Sequence, residues 1–137
     1  MNEYSLTRRP DGKYTDRRLE PLSDEMYLFA ERYGMALSPR YHDSPSWSFT
    51  WQDGSTTRDI ELLISERAYV ELQIIPGASK DDQATGTRHF MKKPIRGYLI
   101  FLPVEKSIFL ETLEMARRDA QAIKSDQLID RVPLRSD

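Results

Sequence analysis

The segment Arg88-His89-Phe90-Met91-Lys92-Lys93-Pro94-Ile95-Arg96 carries four formal positive charges, no acid and one aromatic ring. Basic side chains can track a phosphate backbone while an aromatic ring stacks on a base. Arg88, His89, Phe90, Lys92, Lys93 and Arg96 are therefore the candidates for holding an anion or a nucleic acid. Against that reading stand Asp81 and Asp82 just upstream, and a net charge of −2 that offers polyanions no global attraction. A solvated basic loop is the favoured reading, and nucleic acid is not an expected partner.

The chain has two histidines, His42 and His89, and no cysteine. The lack of cysteine removes disulfides, thiol nucleophiles and thiolate metal sites together, and it fits a reducing compartment. His42-Asp43 has no second histidine at a helical or finger spacing, so no metal is expected. Ser44 and Ser46 lie near His42 but outside any Gly-x-Ser-x-Gly elbow. Between Gly77 and Gly86, Lys80 is followed by Asp81 and Asp82, which repel phosphate, where a phosphate loop needs Lys followed by Ser or Thr. No catalytic residue and no cofactor are expected.

Trp47, Phe49 and Trp51 alternate with Ser48 and Thr50. Trp47 and Trp51, with His42, are the candidates for an aromatic-lined ligand pocket between a sheet and its helices. The favoured reading is that the aromatic stripe is core, packed by Phe29, Tyr33, Phe109 and Leu113. Asp59, Glu61 and Glu71 alternate with apolar residues and are expected on the wet face of the sheet. They gain chemical interest only if that face is covered. Glu61 and Glu71 are candidates for cross-strand neighbours.

These residues must be positioned by strands. After Trp47–Trp51 come Ile60, Leu62 and Ile64 with Asp59 and Glu61 between them, then Val70, Leu72 and Ile74 with Glu71 and Gln73 between. Period-two alternation puts one set in the core and the other in water, which defines an antiparallel sheet with one wet face. Asp53-Gly54 suits a tight hairpin turn, and the next turn falls near Ser65 to Arg67. From Gly77 to Pro94 no periodicity appears, a longer loop than is usual. Ile95 to Val104 returns to strand composition. Tyr98 to Leu102 are all apolar, so both faces of this strand are expected to be covered, as in a central strand, or by the N-terminal arm or another subunit.

Helices flank the sheet. Ser23 is a candidate N-cap, Asp24 and Glu25 suit the first turn, and Met26, Phe29, Ala30 and Tyr33 share one face. Gly34 is placed to terminate this helix. Leu37 to Pro45 reads as a connection. A second helix is expected from Glu105 to about Asp126, with Phe109, Leu113, Ala116, Ala120 and Ile123 on its buried face and Ile108 and Met115 widening it.

The expected fold is therefore α+β: an antiparallel sheet of about four strands with an N-terminal and a C-terminal helix on one face, in the order α-β-β-β-loop-β-α. Residues 1–20 read as a polar, partly mobile arm, in which Tyr4, Leu6, Tyr14 and Leu19 could form a short strand or pack the arm down. Residues 21–127 form one domain and 128–137 a tail. The 31% charged content exceeds the usual share, which fits a well-solvated surface. Met1 to Glu20 holds no apolar run resembling a secretory signal, and no membrane span is present. A cytoplasmic location is the expectation. The favoured function is a small non-catalytic interaction protein that self-associates, a homodimer supplying the cover for Tyr98–Leu102. The alternatives are the small-molecule module or minor enzyme at Trp47, Trp51 and His42, and the anion binder at 88–96.

Overall fold

The computed structural model describes residues 6–20, 22–40, 45–65, 67, 69–75, 94–103 and 105–124. In chain order these form β1 (Leu6–Arg8), β2 (Tyr14–Asp16), a 3-10 turn (Arg17–Leu19), α1 (Ser23–Arg32), β3 (Ala36–Pro39), β4 (Ser46–Asp53), β5 (Thr56–Ser65), β6 (Tyr69–Ile75), β7 (Arg96–Phe101) and α2 (Lys106–Ala122). The class is α+β. Among the described residues the main sheet has five antiparallel strands in the order β3-β4-β5-β6-β7, and β1 and β2 pair separately as a hairpin.

Alternation sets the faces. Trp47 lies opposite Leu62, Phe49 opposite Ile60, Leu62 opposite Leu72, and Val70 opposite Ile100. Directly opposed residues of an antiparallel pair share a face, so these side chains make one continuous buried layer. Both helices pack on it. Phe29 of α1 meets Phe49 edge to face at 6.3 Å, while Phe109, Leu113, Ala116 and Ala120 of α2 are fully buried over β5 to β7. Each large apolar side chain so buried contributes roughly 1.5–3 kcal/mol.

Several expectations change. The connection at Leu37–Pro45 contains a strand: β3 pairs with β4 from Ala36–Thr50 to Pro39–Trp47. Pro39 lacks a backbone donor, which an edge strand tolerates. The main sheet thus has one strand more than expected, and residues 6–20 add the hairpin. That hairpin docks on α1 through an Arg9–Asp24 ion pair, a Tyr27 hydroxyl donating to the Tyr14 carbonyl at 2.7 Å, and a Thr15–Ser23 hydroxyl pair. Ser23 is consequently not the N-cap; Leu22 occupies that position without a side-chain bond. Gly34 ends α1 as expected, with φ of +66°.

Among the described residues β7 ends the sheet beyond β6 and is an edge strand, which sets aside the central-strand alternative for Tyr98–Leu102. Ile108 and Met115 do not widen the buried stripe of α2; both are about half exposed. The helix contacts the sheet through a narrower arc than its composition suggests. The loop expected at 77–94 lies outside the described residues except for Pro94.

At the end of the sheet where β7 begins, a buried cation ties strand to helix. Arg58 shares the parity of Ile60, Leu62 and Ile64 and so enters the core face opposite Trp51. Its guanidinium donates to the Ala120 carbonyl at 2.6 Å, the Ile123 carbonyl at 2.8 Å and Asp53 Oδ2 at 3.0 Å. The last turn of α2 has no basic residue of its own, so Arg58 supplies the positive charge that a helix C-terminus favours. Gln121 closes the network, accepting from Trp51 Nε1 at 3.0 Å and donating to Asp53 at 2.7 Å.

Candidate interaction surface

The outer face of the sheet is polar in its middle and apolar at one edge. On β4 and β5, Ser48 donates to Asp59 Oδ1 at 2.9 Å and pairs with Thr50 at 2.8 Å. Ser48 is fully buried, so this part of the face is covered, and the carboxylates there feel it. Burial raises the Glu61 carboxyl above its ordinary range; the negative charge of Asp59 adds to the shift and Arg40 opposes it. Glu61 lies opposite Gln73, while Glu71 lies opposite Leu63 and Leu99, which makes Glu61 and Glu71 diagonal rather than facing neighbours.

At β7 the same face turns apolar. Gly97, Leu99 and Phe101 point outward by alternation, and Tyr98 and Ile100 point to the helices. Leu99 is 54% exposed and Phe101 67%. Phe101 meets Tyr69 of β6 at a centroid distance of 6.1 Å. A shallow groove of about 400 Å³ continues the patch past the end of β7, between Leu99, Phe101, Pro103, Ile108 and Thr112. Ile108, 48% exposed, extends it onto the first turn of α2. Gly97 has a local cause: a Cβ there would come within 2.8 Å of Glu71 Oε2, so the carboxylate of Glu71 occupies the space a side chain would need. Among the described residues no strand pairs with the far edge of β7.

A wider groove, about 730 Å³, runs between α1 and α2 on their outer side. Leu28, Phe29, Leu110 and Met115 line it together with Arg32 and Glu111. Three of its acids are already engaged, Glu25 with Lys106 at 3.4 Å among them. The Arg117 guanidinium holds the Glu114 carboxyl down to about 2, and Asp119 accepts from Arg96 at 2.9 Å and from the Tyr98 hydroxyl. Burial, followed by the Asp119 bond, pushes the Tyr98 phenol up to about 12, and that hydroxyl in turn holds Asp119 below the usual carboxylate range.

The candidates named from sequence separate on this frame. Trp47 and Trp51 are 1% and 9% exposed and belong to the core. Trp47 packs edge to face against Tyr27, and neither tryptophan lines the grooves just described. Arg96 is exposed, with its charge paired to Asp119. His42, Arg88, His89, Phe90, Lys92 and Lys93 lie outside the described residues. Among the described residues no three His, Cys, Asp or Glu side chains cluster to hold a metal ion, and no helix is long and apolar enough to cross a membrane. Sequence reasoning expected a dimer contact to cover one face of Tyr98–Leu102 without deciding which; the structure exposes Leu99 and Phe101. Arg58 it missed, although its parity with Ile60 and Leu62 was the available signal. No protein-family model, curated protein or solved structure matches this chain.

Proposed function

We propose that this is a small cytoplasmic, non-catalytic interaction protein that self-associates as a homodimer through the apolar surface at β7 and the start of α2. One observation carries the reading: Leu99 and Phe101 stand 54% and 67% exposed, side by side, on an edge strand. Contiguous exposed apolar surface of this kind marks interaction sites, and an unpaired strand edge is a template for a further strand.

The test is light scattering across a micromolar concentration series for the wild type and for Phe101→Asp. The wild type should show a dimer mass and Phe101→Asp a folded monomer whose thermal midpoint no longer rises with protein concentration. A wild-type monomer throughout the series refutes the reading.

A second reading, a module that binds an apolar small molecule, draws on the groove between α1 and α2, where Leu28 and Met115 are 56% and 52% exposed. Met115→Glu would then abolish binding of a hydrophobic dye, while Phe101→Asp would leave it unchanged.

A further inference from the structure

We propose that the groove between α1 and α2 binds a single-chain amphiphile with a carboxylate head, its tail along Leu28, Leu110 and Met115 and its head at Arg32 and Arg118. The inference rests on the apolar-ligand reading of this groove and adds the head group and the direction of the ligand.

The two helices give the groove its direction. Lys106 reaches Glu25 at 3.4 Å, which sets the first turn of α2 beside the first turn of α1. At the other end the Arg117 guanidinium lies 4.0 Å from the centre of the Tyr33 ring, and Tyr33 is the C-cap of α1. The helices therefore run the same way. The groove reads from Glu25 and Ser107 at one end to Arg32 and Arg118 at the other. From Ser107 to Arg118 the helical rise spans about 16 Å, and a volume of about 730 Å³ falls in the range of small-molecule sites. Leu28 and Met115, each about half exposed, line it from different helices. An apolar tail between them removes from water a surface that the fold leaves wet.

Charge decides the head group. Among the described residues four acids line the groove, and three have their charge answered: Glu25 by Lys106, Glu114 by Arg117 and Arg118, and Asp119 by Arg96. Tyr33 donates to Glu114 as well, so that carboxylate has little capacity left for Arg32. Arg32 is exposed and has no ion-pair partner among the described residues. Arg118 gives its Nε to Glu114 at 3.0 Å, and its side chain is 74% exposed. Where α1 ends, then, Arg32, Arg117 and Arg118 outnumber Glu114. Glu31 lines the other side of α1 with Met35 and Leu37. The fourth acid, Glu111, sits toward Ser107, about 10 Å along the helix from Arg118. A carboxylate head matches the planar fork of a guanidinium, whereas an ammonium at this end meets like charge.

Calorimetric titration of the full chain with decanoate, 1-decanol and decylamine, below their micelle concentrations and at fixed ionic strength, tests the assignment. Decanoate should bind about tenfold more tightly than decanol, the factor one charge-assisted hydrogen bond supplies, and decylamine should bind most weakly. Arg32→Gln should erase the preference for decanoate and leave decanol binding intact. Arg67→Gln, which removes the same charge from the turn between β5 and β6, should keep the preference. Equal binding of decanoate and decanol by the wild type, or equal loss of preference in both variants, overturns the head-group assignment while leaving the apolar site standing. Tightest binding of decylamine places the head at Glu111 and overturns the direction. Failure of all three to bind overturns the apolar-ligand reading as well.

Discussion

Replacing Arg58 with methionine should destabilise the fold by about 3–4 kcal/mol. The side chain is 4% exposed, and methionine keeps most of its volume, so the loss is electrostatic rather than a cavity. The carbonyls of Ala120 in α2 and of Ile123, its C-cap, lose their donor. An unpaired buried polar group costs about 1–3 kcal/mol. Breaking a buried ion pair typically costs about 3–5 kcal/mol through the stranded charge, but Asp53 keeps a side chain 44% exposed and Gln121 as a donor, which puts its share at the low end. Arg58→Lys retains the charge but cannot reach all three acceptors, and should lose about half as much. Urea denaturation followed by tryptophan fluorescence measures this directly. The midpoint should fall with the slope unchanged, and amides in the last turn of α2 should exchange faster. A midpoint for Arg58→Met within about 1 kcal/mol of wild type would refute the account of Arg58 as the cap of α2.

Two further outcomes are expected. Trp51→Ala should cost about 3–5 kcal/mol, because the ring is 9% exposed and its Nε1 is bonded to Gln121; a denaturation midpoint near wild type would place that ring in solvent. Glu61 has a carboxyl whose affinity for a proton is raised on folding, from an ordinary value of 4.5. The associated stabilisation is full below that value and is lost as pH rises through the folded one. Glu61→Gln, which mimics the protonated form, should therefore melt above wild type at pH 7, and the gap should close toward pH 4. A pH-independent gap would show that ionisation of Glu61 is not the cause.

Strands β4, β5 and β6 were legible in the sequence because each alternates apolar and polar residues without interruption, and a pleated strand has no other way to segregate them. The same rule placed Trp47 and Trp51 in the core and Asp59, Glu61 and Glu71 on the outer face. α1 was readable from Met26, Phe29 and Ala30 at helical spacing, with Gly34 supplying the left-handed stop. Local pattern was enough where local pattern and tertiary environment agree.

β3 was not legible, since a short segment containing Pro39 looks like a connection until an edge position makes the missing donor harmless. The position of β7 stayed open for the opposite reason. An unbroken apolar run says that both faces can be buried, and only the strand order shows that Leu99 and Phe101 reach the end of the sheet with nothing described beyond them. Arg58 belongs to the same class: its parity was in the sequence, but its acceptors are 62 and 65 residues away in the chain. Which residues share a face is a local property of the strand. Which edge meets water, and which helix end meets a buried cation, depends on contacts between distant segments, and only the assembled sheet decides them.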